Sequence, residues 1–494
     1  MNAAVTGAEG AWPASVAETH SAVVFFVGDR AYKVKKQVDL GFLDFRARDA
    51  RRLVCHREVL LNRRLSPDVY LGVADVTGPD GEPCDHIVVM RRMPADRRLS
   101  TLVRAGVDVD GDLWQLAHLM AAFHARAERG PAADEAAGRD ATAARWATNT
   151  QEMLGLGDVL DRDEVCAVDR LAQRYLAGRA PLFAWRVAEG RACDGHGDLL
   201  ADDVFCLPDG PRVLDCLEFD TALRLGDGLA DVAFLAMDLE RLGHPELGDR
   251  FLAAYREHAD DAWPASLAHH HVAYRAQVRA KVGAIRATQG DAASAPEAVR
   301  LLAVARRHLE AGAVRLVVVG GLPGTGKSTV ADGLGDALGA TVLRSDEVRK
   351  ELAGQAIDAP MPAGFRQGQY SAEHTTGAYG EVLRRARVGL ERGESVILDA
   401  SFTDDAWRSA ARTLAADTQA DLTELRCTVD ADTAADRIRR RLAAGGGASD
   451  ATPAIAAALA ASDTPWPSAH EVDTSAGVAT SVAAALDAVR SPTN

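Results

Sequence analysis

The run Gly321-Leu-Pro-Gly-Thr-Gly-Lys-Ser328 constrains this chain more than any other feature of its sequence. It matches G-x-x-x-x-G-K-[ST] in full and follows directly on an apolar segment, Val314-Arg-Leu-Val-Val-Val319. A strand entering such a loop and leaving as a helix forms a phosphate cradle. Its glycines let the backbone wrap closely, and the loop N–H groups and helix N-terminus face the anion. Gly321, Gly324, Thr325, Gly326, Lys327, Ser328 and Thr329 are therefore the candidate ATP-binding residues. Lys327 is expected to reach the β- and γ-phosphates as a catalytic charge, and the Ser328 hydroxyl to ligate Mg2+.

Around this loop, apolar strands at 314–319, 341–344, 395–398 and 423–429 alternate with helical stretches. The alternation predicts an α/β P-loop NTPase domain, a parallel sheet covered by helices on both faces. Small and polar residues in QGDAASAPEA precede it, so the chain is divided into domains 1–305 and 306–494. Three features point to a kinase and away from a motor or GTPase. Asp346 ends the strand Thr341-Val-Leu-Arg-Ser-Asp346, where it is a candidate general base or orienting group for an acceptor hydroxyl, with Arg349 one turn later. It could equally cap the helix that begins at Glu347. Asp399 ends a Walker-B-like run, Ser395-Val-Ile-Leu-Asp399, and is a candidate Mg2+ ligand through water. Arg437 and Arg441 form an i, i+4 pair, where a closing lid would bring charge to the transferred phosphoryl group. Through GLPGTGKST, LRSDEVRKEL, SVILDASF and RIRRRL, residues 314–475 resemble the small P-loop kinases. That group includes gluconate kinase, the zeta toxins and the 5′-kinase domain of polynucleotide kinase. The resemblance implies ATP use and names no acceptor.

The N-terminal part is patterned differently. Strands read at 21–27, 31–35 and 86–90, with a hairpin at Gly28-Asp29, give way to helices such as the one carrying Leu113, Leu116, Ala117 and Met120. His196-Gly-Asp-Leu-Leu-Ala-Asp-Asp203 is followed by Asp215 in Val213-Leu-Asp-Cys-Leu217, a spacing suited to a hairpin that joins two carboxylates. In kinases of the eukaryotic type, a catalytic-loop Asp orients the hydroxyl proton and an Asp on the next strand binds Mg2+; Asp198 and Asp215 fit those roles. Alternation puts Ala31 and Lys33 on one face of their strand, under adenine and on phosphate, with Lys35 as a second choice on the same face. Glu58, in a helical segment, is the expected ion-pair partner, and Val88–Met93 reads as a hinge against adenine.

HGDLLADD, VLDCLEF and Gly226-Asp-Gly-Leu-Ala-Asp231 give residues 20–285 a resemblance to the aminoglycoside phosphotransferase family. The expected fold is thus an α+β protein-kinase-like domain followed by the P-loop domain. The whole chain is similar to bacterial bifunctional aminoglycoside phosphotransferase-like and ATP-binding (AAA-type) fusions. The resemblance implies ATP and Mg2+ as cofactors, and it makes position 203 a metal ligand. The family has Asn there and this chain has Asp203, whose charge would alter metal affinity and repel the γ-phosphate. The Gly-rich phosphate loop is also missing, with only Phe26-Val-Gly-Asp29 in its place. Both departures bear on the activity of this half and not on its fold. Asp227 and Asp231 are expected to fasten the catalytic region, and His196 to brace its loop. His269–His271 reads as an exposed segment, because adjacent residues cannot share one helix face. Arg275, Arg279 and Lys281 read as a solvated helix face, or alternatively as the lining of an acceptor cleft for an anion.

A net charge of −15 favours small Mg2+-chelated nucleotides over nucleic acid as partners. No apolar run reaches the roughly 18 residues of a membrane span. The seven cysteines form no C-x-x-C pair, which points to a reducing, cytoplasmic setting. The expected function is a phosphotransferase with two modules, each moving the ATP γ-phosphate to a hydroxyl of a small molecule such as a sugar or polyol. Two alternatives stand beside it. The N-terminal half is a pseudokinase that senses a ligand and regulates the P-loop domain, or that domain is a nucleic-acid 5′-end or nucleotide-sugar kinase. The sequence does not give the oligomeric state.

Overall fold

A meander opens the fold. Strands β1 (Ala14–Glu18), β2 (Ala22–Val27) and β3 (Arg30–Lys35) pair antiparallel. The turn from β2 to β3 is made at Gly28, whose φ of 57° is open to a residue without a Cβ. These positions come from a computed structural model, which describes residues 14–18, 22–39, 44–356, 372–443 and 451–490; Ser21, the first residue of the strand expected at 21–27, lies outside them.

Strands β4 (Tyr70–Thr77) and β5 (Pro83–Arg91) complete a five-stranded sheet of order β1-β2-β3-β5-β4. The helix Arg48–Asn62 packs on it. Its Val54, Cys55 and Val59 are buried at helical spacing and turn one stripe toward the sheet. Ala31, Val88 and Met90 of the sheet join Cys55 and Val59, with Phe205 and Leu214, in one apolar cluster. Two short antiparallel pairs follow within a largely helical body. Strand β6 (Ala192–Asp194) pairs with β9 (Leu225–Asp227), and β7 (Val204–Leu207) pairs with β8 (Gly210–Val213). The antiparallel sheet followed by helices is the kinase-like α+β fold the sequence implies.

Strands β10 (Arg315–Gly320), β11 (Thr341–Arg344), β12 (Val396–Asp399), β13 (Asp421–Thr428) and β14 (His470–Asp473) form a second, all-parallel sheet of order β11-β12-β10-β13-β14. The central strand explains its own composition. Leu316 to Val319 are at most 1% exposed because helices cover both faces, so the segment is apolar without alternation. Cα register pairs Val319 with Asp399 and Asp399 with Arg344, aligning the carboxyl ends of three strands. This is the α/β P-loop domain expected from the sequence.

Besides the short strands β6 to β9, three more escaped the sequence reading. β1 is short, β4 carries Gly72 and Asp75 among its apolar residues, and β14 has a single apolar residue, Val472. The histidine run is also not exposed: His270 and His271 are buried in the helix Ala265–Thr288, pointing in different directions. His270 stacks on Tyr175 at 4.7 Å, and His269 meets His308 at 2.8 Å.

The chain separates into two compact units. The first holds Met1–Val165, Trp185–Trp263 and His271–Arg307; the second holds Cys166–Ala184, Pro264–His270 and His308–Asn494. Within the second unit, Arg179 donates to the Thr418 carbonyl at 2.7 Å, and Gly178 lies so close that a Cβ would strike the same carbonyl oxygen. Gly178→Ala should therefore destabilise this unit by about 1–3 kcal/mol, the usual cost of overpacking a closed contact. Thermal unfolding followed by circular dichroism checks it, and an unchanged melting curve would mean that the contact yields freely.

Candidate active sites

In the first unit, β3 and the helix Arg48–Asn62 bring charges into an otherwise apolar interior. Glu58 is completely buried, and its carboxylate lies between two lysines, 2.9 Å from Lys33 Nζ and 2.7 Å from Lys35 Nζ. Lys33 also reaches Asp215 at 2.5 Å, and Lys35 reaches Glu218 at 2.6 Å. Burial pushes the Glu58 carboxyl up, but the two ammonium groups overcome it and hold the group below its usual range. Burial likewise opposes the charge on Lys33, yet Asp215 and Glu58 keep its pKa well above the ordinary value. Lys33 is thus joined to both of its expected partners. Lys35, the second choice for phosphate, instead anchors the segment three residues beyond Asp215. Glu218 was not singled out from the sequence, although it sits inside the VLDCLEF run.

Asp215 itself has a φ of 64°, unusual for a residue with a Cβ. Its neighbours fix that turn. The Asp215 N–H donates to Tyr70 Oη at 3.1 Å, and the Cys216 N–H to Asn62 Oδ1 at 2.8 Å. Burial works against its charge, but Lys33 dominates and brings the carboxyl down to about 2. The opposite holds for two neighbouring carboxyls. Burial raises Asp198 to about 6, with Arg279 and Arg275 pulling it down. Asp203 is pushed well above the carboxylate range by burial and by the charges of Asp215 and Asp198. Asp198, Asp203 and Asp215 therefore share one electrostatic neighbourhood.

The loop that presents Asp198 is held from behind. Asp231 accepts the N–H groups of His196 and Gly197, both at 2.8 Å, and contacts His124 Nε2 at 3.0 Å. His196 is buried, with Nε2 on the Leu214 carbonyl at 3.0 Å. Asp227 pairs with Arg186 through two bonds of 2.7 Å. Arg275, Arg279 and Lys281 are not a solvated face: the first two are half-buried, and Lys281 pairs with Glu152 at 2.6 Å.

In the second unit the P-loop joins β10 to the helix Lys327–Leu338. Gly324 and Gly326 have φ of 87° and 83°, and a Cβ on Gly324 would collide with the Ala434 backbone. Thr325 is turned inward and donates to the Leu322 carbonyl at 2.8 Å, bracing the loop. A cavity of about 1450 Å³ opens in front, lined by Lys327, Ser328, Thr329, Asp346, Asp399 and Arg441 among others. Burial raises the Asp399 carboxyl, while Lys327 and a hydrogen bond from Ser328 hold it back. Asp346 lies on the same cavity, paired with Arg349 at 2.5 Å. Arg437 also borders it, but its guanidinium is engaged by the Thr474 carbonyl at 2.8 Å, Thr474 Oγ1 at 3.0 Å and the Gly324 carbonyl at 3.4 Å. Arg441 donates to the Ala451 carbonyl at 3.1 Å. Two wall residues carried no sequence signal, the rings of Tyr379 and Trp407, stacked at 4.8 Å.

Both sites offer the hard oxygen donors that Mg2+ prefers. Asp399 Oδ1 is buried without a hydrogen-bond partner beside the Ser328 hydroxyl, and Asp203 and Asp215 face each other electrostatically. Among the described residues no three His, Cys, Asp or Glu side chains converge to hold a metal ion unaided. No described helix is long and apolar enough to cross a membrane.

An AAA domain family matches residues 316–465. Among solved structures, the chain is similar to a choline/ethanolamine kinase family protein from Mesorhizobium loti (15% identity, TM-score 0.36, covering 60% of this chain and 92% of that one). It is also similar to a gluconokinase from Sinorhizobium meliloti (18% identity, TM-score 0.27, covering 36% of this chain and 91% of that one). Fold and site together define the class: an α+β unit on an antiparallel sheet, with a buried Lys–Glu–Asp charge network, joined to an α/β P-loop domain. Over 460 residues the chain is 45% identical to uncharacterized proteins of Mycobacterium tuberculosis and Mycobacterium bovis, covering 93% of itself and 92% of each. It belongs to the same family as these mycobacterial proteins.

The raised Asp203 carboxyl has a measurable consequence. A carboxyl titrating higher in the folded than in the unfolded chain loses stability as pH climbs from about 4 through its folded value. Asp203→Asn should thus raise the melting temperature of the first unit at pH 7.5 in chelator, by roughly 2–4 °C for each kcal/mol relieved. At pH 4 the gain should vanish. Equal gains at both pH values would mean that charge crowding is not the cause.

Proposed function

We propose that this protein is an ATP-dependent phosphotransferase with two kinase modules, within residues 1–305 and 306–494, acting in the cytoplasm on hydroxyl groups of small molecules. The observation that carries the reading is Lys33, which meets Glu58 and Asp215, residues from a helix and from a turn far along the chain. Such a junction presents a cation at one point, beside the carboxylates Asp198 and Asp203. In this reading Lys33 orients the α- and β-phosphates, and Glu58 fixes Lys33. Asp198 takes or orients the proton of the acceptor hydroxyl as its oxygen attacks the γ-phosphorus and ADP departs. A pKa raised to about 6 suits a base that works near neutrality.

At the P-loop, Gly321, Gly324, Thr325, Gly326 and Thr329 shape the cradle, Lys327 contacts the β- and γ-phosphates, and Asp346 orients the second acceptor. Arg441 borders the space where the phosphoryl group travels. The bonds of Arg437 support a bracing role for it, behind the loop, in place of the lid role its spacing suggested. Mg2+ would be held by Ser328 and Asp399 at one site and by Asp203 and Asp215 at the other, where it would neutralise phosphate charge. A second reading has the first unit bind nucleotide without turnover; the crowding of Asp203 by Asp198 and Asp215 favours it.

The test is acceptor-dependent ADP release in the full chain against sugars, polyols, aminoglycosides and 5′-hydroxyl oligonucleotides. Lys327→Ala should remove one set of activities and Asp198→Asn another, each by about 10²-fold or more, as for loss of a general base or a phosphate-binding charge. Activity insensitive to Asp198→Asn but lost in Lys327→Ala would leave only one working kinase and favour the nucleotide-sensing reading.

A further inference from the structure

Arginines in the interior of the first unit are, as a rule, matched by carboxylates. Arg186 lies between Asp227 and Asp261 at 2.7 and 2.5 Å, and Arg224 meets Asp194 at 2.8 Å. Arg57, Arg97 and Arg286 depart from it, and so, as a group, do Arg145, Arg275 and Arg279. All three are half-buried, and among the described residues none has a carboxylate within ion-pair distance. A guanidinium removed from water without a counter-charge is costly, so an unmatched group of three signals a missing anion.

Their position relative to the candidate base follows from the helix Gly228–Arg241. Asp231 and Asp238 on this helix hold the backbone of His196, Gly197 and Ala201, so it runs alongside the loop that carries Asp198. Arg275 Nε donates to the Ala230 carbonyl at 2.9 Å, and its guanidinium lies over the Phe234 ring at 4.7 Å. Arg279 follows one helical turn on, free of any hydrogen bond among the described residues, and its charge is the strongest attraction felt by the Asp198 carboxylate. Arg145 joins them through Tyr274, whose hydroxyl it contacts and over whose ring Arg275 also lies, at 5.7 Å. Lysine at the same end of the helix is already committed: Lys281 is tied to Asn149 and Glu152.

We propose that the kinase-like unit takes an anionic acceptor, a small hydroxyl compound bearing a carboxylate or a phosphate ester, with Arg275 and Arg279 holding that anion beside Asp198. The inference rests on the reading of Asp198 as the acceptor-side base. Guanidinium suits this task because its planar fork bonds carboxylate and phosphate oxygens two at a time. A cationic acceptor would meet three uncompensated positive charges instead, so the specificity follows from repulsion as much as attraction.

The experiment uses the full chain carrying Lys327→Ala, so that ADP release reports on the first unit. The acceptors are glycerol 3-phosphate, gluconate, glycerol, glucose and kanamycin. Stimulation by an anionic member alone is the expected result, and whether the phosphate or the carboxylate compound works identifies the anion. Arg279→Gln should then raise the acceptor KM about tenfold or more, as for one lost charge-assisted bond, with kcat less affected. Arg279→Lys should restore part of the loss. Turnover of glycerol, glucose or kanamycin that needs Asp198 and ignores Arg279→Gln overturns the anion site and leaves the kinase reading standing. A rise in the KM for ATP in place of the acceptor KM also overturns it, assigning the arginine to nucleotide. If no acceptor is turned over, calorimetric titration of the two anions decides. Binding weakened about tenfold by Arg279→Gln keeps the anion site while the kinase reading falls; equal binding in both variants ends the proposal.

Discussion

A carboxylate with no access to water, Glu58, sets the terms for the whole kinase-like unit. Alone it would be intolerable in an apolar interior, so it requires cations, and β3 delivers two of them from one face. Two ammonium groups on one carboxylate leave positive charge in excess, and each lysine meets a further carboxylate, Asp215 for Lys33 and Glu218 for Lys35. The result is an alternating chain of five charges that ties the sheet, the helix Arg48–Asn62 and the turn at Asp215 into one object. The left-handed backbone of Asp215 is tolerable because this network and the bonds from Tyr70 and Asn62 fix both sides of the turn.

The P-loop unit solves the same problem with backbone instead of side chains. A Cβ on Gly321 or Gly324 would collide, Gly326 has a left-handed φ, and Thr325, Thr474 and Arg437 bond the carbonyls of Leu322, Thr325 and Gly324. The Gly321 and Thr325 N–H groups bond the Ser401 and Leu322 carbonyls, and those opening the helix at Lys327 are left to a ligand. In both units, groups that look catalytic by residue type divide into those that face the open site and those that hold it in shape. Asp231 belongs to the second kind, while Arg437 both borders the cavity and braces the loop.

Much of this was legible in the sequence because the relevant signals are local. G-x-x-x-x-G-K-S states its own backbone conformation, and alternation along Ala31-Tyr-Lys-Val-Lys35 places both lysines on one face. What the sequence could not state is how charge is shared among groups far apart along the chain. Nothing about Glu218 separates it from a surface glutamate until Lys35 is seen opposite. The helix with Arg275 and Arg279 reads as solvated because three basic residues, with Lys281, fall within seven positions; the burial of Arg275 depends on Phe234 and Ala230 of another helix. The strand β14 was missed for a related reason: four residues with one apolar side chain carry no period, and pairing to β13 alone defines them.

The tie between Arg437, Thr474 and the loop carbonyls also fixes an order of events during synthesis. Thr474 Oγ1 donates to the Thr325 carbonyl at 2.7 Å, yet it is translated long after the loop it braces. The nascent chain therefore leaves the ribosome with a complete phosphate-binding motif that lacks its backing, and domains fold as units once their last element arrives. The loop gains this brace only when Thr474 arrives, 149 residues after Thr325, with the helix Val478–Arg490 still to follow.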